Sequence, residues 1–134
     1  MSDWNTRVIE EFRANGGRVG GPFQGRPLLL LHTTGARSGA PRVTPLMYQT
    51  VDSGYAVFGS KGGAPSHPDW YHNLVAHPDA SIEVGGDVIG VRARLASGEE
   101  RERIWTQQKA DYAFFAEYER RAGREIPVLV LEPR

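Results

Sequence analysis

The chain has 134 residues, 40% hydrophobic and 24% charged, with 16 basic against 16 acidic side chains and no formal net charge at pH 7. That length suits a single domain over 1–134, and neutrality leaves no global field to recruit nucleic acid. The absence of cysteine excludes disulfides, thiolate metal sites and cysteine nucleophiles.

The first predicted element is an amphipathic helix over 3–15. Asp3 is placed to cap it, Trp4, Val8, Ile9 and Phe12 share one face, and Gly16-Gly17 end it. Docking of that face on the protein body is favoured, and peripheral membrane contact through 3–15 stays open as the alternative. The first residues carry charges throughout and lack the apolar centre of a signal peptide. No apolar run approaches the ~18 residues of a membrane span. The expected location is the cytoplasm.

A Gly/Pro-rich loop over 17–27 leads to PLLLLHT, 27–33, a continuous apolar run suited to a buried strand. RVTPLMYQTV, 42–51, and GYAVFGS, 54–60, read as two strands joined at Asp52-Ser53-Gly54. A helix is expected over 67–76, with Pro68 in its first turn and Ser66 or His67 near its cap. ASIEVGG and DVIGVRARL form a hairpin across Gly85-Gly86. A helix begins at Ser97, whose S-G-E-E pattern fits a capping box, and a second helical piece spans roughly 110–122. PVLVLEP, 127–133, is a last strand. Several strands with regular turns and few helices predict an α+β chain, mainly β: a small antiparallel barrel with helices packed outside.

Two turns carry chemistry. In HTTGARSGAPR, 32–42, Gly35 and Gly39 bracket Ala36-Arg37-Ser38, a composition suited to a nest of inward N–H groups, with Arg37 and Arg42 adding charge. In GSKGGAPSHPDWYHN, 59–73, Gly59, Gly62 and Gly63 surround Lys61, one of only two lysines. Each turn follows a strand, so neighbouring strands would bring both to one end of a barrel and favour one anionic ligand. Plain surface turns remain the alternative. Trp70, Asn73 and Leu74 share a helical face, and Trp70 and Tyr71 could offer π surface to a planar heterocycle or belong to the core. His67, His72 and His77 are five apart, not the i, i+4 of a helical metal pair, so no metal is expected. No serine stands in a G-x-S-x-G elbow.

Together, TTGARSGAPRVTPLMY, GSKGGAPSHPDWYHNLVAHPDASIEV and the terminal IPVLVLEP resemble the deazaflavin (F420)-dependent nitroreductases and F420H2-dependent quinone reductases, from about residue 28 to the end. The resemblance implies a split β-barrel of the flavin-reductase and pyridoxamine-oxidase kind. It implies coenzyme F420 as cofactor, with FMN on the same barrel as the alternative. By motif position, Arg37, Ser38, Gly39 and Arg42 with Lys61 would face the phosphate and oligoglutamate tail. Pro45, Leu46, Met47, Ser60, Gly62, Gly63 and Ala64 would line the groove, and Asp69, Trp70, Tyr71, His72 and Asn73 would hold the ring system. Tyr112, Tyr118 and Met47, with Phe115 at i+3 from Tyr112, would wall the acceptor pocket, with no obligate acid or base. The implied reaction passes a hydride from the reduced cofactor to a quinone-like small molecule, a nitroaromatic or an enone. A non-catalytic F420 carrier is the alternative from another class.

Overall fold

Four successive apolar residues in a strand must be covered on both faces, and Leu28–Leu31 of β1 (Leu28–Thr34) are. The computed structural model describes residues 3–20 and 25–134, and the side chains of Asp3 and Trp4 lie outside the described residues. Leu29 and Leu31 face inward among Val57, Ile82, Val91, Leu129, Leu131 and two side chains of α2 (Asp69–Ala76), Trp70 and Leu74. Leu28 and Leu30 face the other way, against Val8, Ile9 and Phe12 of α1 (Asp3–Ala14) and Val19.

The apolar face of α1 is therefore spent on the sheet. What α1 turns to solvent is mostly charged, including Arg7, Glu10 and Glu11, so docking is the outcome the structure shows. The expected contributions of Asp3 and Trp4 fall on side chains outside the described residues. An ion pair from Arg13 Nη2 to Glu83 Oε2 at 2.8 Å fastens the helix's last turn, and His32 Nε2 meets the same carboxylate at 2.5 Å. The Arg13 hydrogen bond, helped by that of His32, holds the Glu83 carboxyl below its usual range. Its stabilising effect is complete above about 4.5, the unperturbed value, and is lost as pH falls through the lowered one. Glu83→Gln should cost about 1 kcal/mol at pH 7 and flatten the acid limb of a thermal-stability profile. An unchanged acid limb would show that the latch carries nothing.

Seven strands form one antiparallel sheet in the order β2-β1-β5-β6-β7-β4-β3. Here β2 is Pro41–Met47, β3 Gln49–Val51, β4 Gly54–Phe58, β5 Asp79–Val84, β6 Asp87–Leu95 and β7 Val128–Pro133. The two edge strands, β2 and β3, are consecutive in the chain with only Tyr48 between them. A flat sheet would hold its edges far apart, so the sheet must curl into a half-barrel that brings β2 against β4. The single strand expected over 42–51 is thus two strands. Tyr48 breaks it by turning its N–H to Pro27 O at 3.3 Å, and its ring meets Tyr55 edge-on. Pro45 is tolerated because β2 pairs only with β1.

The outer face of β4 and β7 is covered by α3 (Gly98–Asp111) and α4 (Phe114–Ala122), which bury Trp105 and Phe115 on Ala56, Phe58, Val128 and Val130. The piece expected over 110–122 straddles the break between these helices. Ser97 is the N-cap of α3, but its side chain makes no cap hydrogen bond. Its expected capping-box partner, Glu100, is drawn away by Arg94 through two bonds of 2.6 and 2.7 Å. Pro68 stands at the N-cap of α2 rather than within its first turn.

Candidate functional site

β1 and β4 are separated by three strands, not adjacent as expected, but the four antiparallel pairings between them leave the two running in the same direction. Both basic turns therefore leave the same end of the sheet. Asn73 on α2 ties the arrangement together. It is 7% exposed, its Oδ1 accepts from Ala36 N–H at 2.9 Å, and its Nδ2 donates to Thr33 Oγ1 at 3.3 Å. The helix that follows the second turn thus holds the first.

The first turn differs from a nest. Gly35 N–H donates to Ala40 O, Gly39 N–H to Gly35 O, and Ala40 N–H to Ser38 Oγ. With Ala36 held by Asn73, four of the turn's amides are satisfied inside the protein. What this turn offers an anion is chiefly the charge of Arg37 and Arg42, which are exposed together with Ser38 and Gly39. Arg42 Nη1 makes one 3.4 Å bond to Pro41 O.

In the second turn, Lys61, Gly62 and Gly63 have φ of 48°, 63° and 88°, three successive left-handed residues. Gly63 is held against α4: a Cβ there would lie 3.1 Å from Arg121 Cβ and 3.2 Å from Tyr118 Cα. At Gly62 nothing lies within 4 Å. Ser60 is buried and Ala64 half-buried, while Lys61 is exposed with Nζ 3.4 Å from Ser66 Oγ. Among the described residues, Arg37, Arg42 and Lys61 make no ion pair. Arg124, which belongs to none of the sequence motifs, braces this turn through its backbone carbonyls. Its one signal was a basic residue directly after a helix-ending glycine, Gly123.

The α2 residues expected to hold a ring divide in two. Trp70 is 6% exposed in the core, and the Asn73 amide is committed to Thr33 and Ala36, so neither offers a free face. Tyr71 is half-buried and its ring lies 4.5 Å from that of His67. His72 and Asp69 are exposed. His67 Nδ1 lies 3.1 Å from Arg124 Nη1, and since arginine has only donors, Nδ1 must be the acceptor. Burial, then the Arg124 and His72 charges, push the His67 pKa below its usual 6.5. The folded protein therefore binds this proton less readily than the unfolded chain. Stability is complete above about 6.5 and falls as pH drops below it. His67→Gln, which cannot take up this proton, should remove that inflection from a thermal-stability–pH profile. An inflection that survives in the variant would place its origin elsewhere.

Tyr112, Phe114 and Tyr118 are half-buried and touch in sequence, Tyr112 to Phe114 at 6.0 Å and Phe114 to Tyr118 at 5.4 Å. Phe115, expected in this wall, is 4% exposed and lies in the core against Phe58 and Trp105. Its neighbour Phe114 is the ring that touches both tyrosines, with the Arg26 guanidinium 4.7 Å from its ring centre. Met47 packs against the same cluster, where the sheet curls, while Leu46 packs inward and Pro45 is half-buried. A concavity of about 880 Å³ lies beside the end of α1, lined by residues of 17–20 and 25–27, and reaches this region through Arg26.

Residues 4–133 match the sequence profile of the F420H(2)-dependent quinone reductase family. The chain is 41% identical over 127 residues to an F420H(2)-dependent quinone reductase of Mycobacterium tuberculosis, covering 92% of this chain and 85% of the relative. Among solved structures, an F420-H2 dependent reductase, FDR-A, is 44% identical with a TM-score of 0.72, covering 80% of this chain and 95% of its own. A structure described as a domain-swapped dimer is 40% identical with a TM-score of 0.74, covering 97% and 98%. The haem storage protein HutZ of Vibrio cholerae, 18% identical with a TM-score of 0.62 over 97% of this chain and 90% of its own, shares the fold alone.

Proposed function

We propose that this chain, which belongs to the F420H(2)-dependent quinone reductase family, passes a hydride from reduced F420 to a quinone at the end of the half-barrel where the two basic turns meet. It is an F420H2-dependent reductase of split-barrel fold. The observation that carries the siting is the placing of Arg37, Arg42 and Lys61, exposed and without ion pairs among the described residues, on turns that leave one end of the sheet. An anionic phosphate and oligoglutamate tail supplies the charge that such cations lack. Open space over Gly62 admits a ligand to the backbone there.

When bound, the reduced deazaflavin supplies the hydride. The protein's part is binding and orientation. Arg37, Arg42 and Lys61 fix the anionic end, and the outer edge of β2 at Pro45, Leu46 and Met47 borders the ring. The half-buried wall of Tyr112, Phe114 and Tyr118 holds a flat apolar acceptor and limits water around it. The Tyr112 and Tyr118 hydroxyls donate hydrogen bonds to acceptor oxygens as negative charge develops on them. No side chain on this path has to act as an obligate acid or base, so a flat, electron-poor acceptor is the fitting class, with nitroaromatics and enones behind quinones.

The test mixes purified protein with F420H2 and menadione and follows the return of oxidised F420 absorbance. Turnover supports the reading. Tight F420 binding without turnover on any quinone makes the chain a carrier, and FMN binding without F420 binding removes the cofactor assignment.

A further inference from the structure

The geometry points to Arg124 as the positioning residue of the anion-binding turn: it pins the turn's carbonyls inward and so aims its amides and Lys61 outward. The inference rests on the cofactor site proposed above and names the group that shapes it.

Gly123, at φ 63°, ends α4 in the left-handed conformation, and the side chain of the next residue reaches the 59–67 turn. The Arg124 guanidinium donates to four backbone carbonyls: Ala64 O from Nε at 3.2 Å, and Gly59 O, Ser60 O and Ser66 O from Nη2 at 3.1, 3.3 and 2.8 Å. Nη1 donates to His67 Nδ1 at 3.1 Å. Among the described residues no carboxylate pairs with it, and partial burial lowers its pKa. A guanidinium held this way acts as a fixed positive centre inside a ring of carbonyls.

Peptide planarity sets the consequence. A carbonyl drawn toward Arg124 turns the N–H of the following residue away from it. Inward carbonyls at Gly59, Ser60 and Ser66 therefore direct the N–H groups of Ser60, Lys61 and His67 to the other side. Ala64 is followed by Pro65, which has no N–H to direct. Lys61 keeps φ 48° without being glycine, a strained state that persists only where the surroundings over-determine it. The five Arg124 bonds, with Gly63 N–H to Ser60 O and Ala64 N–H to Lys61 O, supply that constraint. Arg124 never needs to touch the ligand. It fixes the side of the turn that does.

The test titrates F420 into wild type, Lys61→Ala, Arg124→Ala, Arg124→Lys and the Lys61→Ala/Arg124→Ala double variant, and measures KM for reduced F420 and kcat with menadione. Arg124→Ala should weaken F420 binding about tenfold, and the loss should fall on KM for the cofactor rather than on kcat. Arg124→Lys keeps the charge but cannot fork to several carbonyls, so it should resemble Arg124→Ala. In the double variant the two losses should not add, because Lys61 is aimed by Arg124. Methylguanidinium below denaturing concentration should restore part of the affinity of Arg124→Ala. Wild-type affinity in Arg124→Lys, or additive losses in the double variant, would overturn the positioning role. A Lys61→Ala loss without an Arg124→Ala loss would sink the inference and leave the site standing. Wild-type binding by both single variants would remove the site itself.

Discussion

Lys61→Ala combined with Arg42→Ala lowers F420 affinity about a hundredfold at low salt, roughly tenfold for each charge-assisted contact removed. The two cations sit on different turns, 35–42 and 59–64, and their side chains bond different partners, Pro41 O and Ser66 Oγ, so their losses should add. Neither makes an ion pair among the described residues, so removing one strands no buried partner and leaves the folded stability close to wild type. Both are exposed, so raising the salt should shrink the difference between variant and wild type. Equal affinity of the double variant and wild type would mean that the anionic end lies elsewhere.

Gly63→Val has the larger effect on the fold. The new side chain must adopt φ near 88°, which costs ~1–3 kcal/mol for a residue other than glycine. It must also fit where Cβ would stand 3.1 Å from Arg121 Cβ and 3.2 Å from Tyr118 Cα. One of these contacts is helix backbone, so α4 or the turn has to move. The total should be ~2–4 kcal/mol, a fall in Tm of about 10 °C for a domain of this size. Gly62→Ala is the matched comparison, since its φ is also left-handed, at 63°, but nothing lies within 4 Å. It should cost only ~1 kcal/mol. If the two variants melt together, Gly63 is not the point at which the turn rests on α4.

The legible parts of this chain were those where one residue type has one use. PLLLL suited a strand covered on both faces, and the two Gly/basic turns could be placed from the strands before them. Long-range geometry was not legible. The break at Tyr48 turns an apparent single strand into two opposite sheet edges, and that follows from closure of the barrel, not from any local preference. The basic turns leave one end of the sheet although β1 and β4 are not neighbours, because four antiparallel pairings return the strand to its starting direction. Competition among polar groups was equally hidden. Asn73 reads as a ligand residue at i+3 from Trp70, yet its amide is taken by Thr33 and Ala36. Glu100 reads as a capping residue, yet Arg94 holds it. Phe115 and Phe114 are adjacent and alike in composition, and only the pitch of α4 decides that the first is core and the second half-buried.

The most direct test of the central claim compares two deazaflavins on one protein: F420 itself, and the riboside that lacks the phosphate and oligoglutamate tail. Fluorescence titration should show the tailless compound binding far more weakly to wild type, with no further loss in Lys61→Ala/Arg42→Ala. Equal binding of the two by wild type, or loss of tailless binding in the double variant, would contradict a site in which the basic turns grip the anionic end.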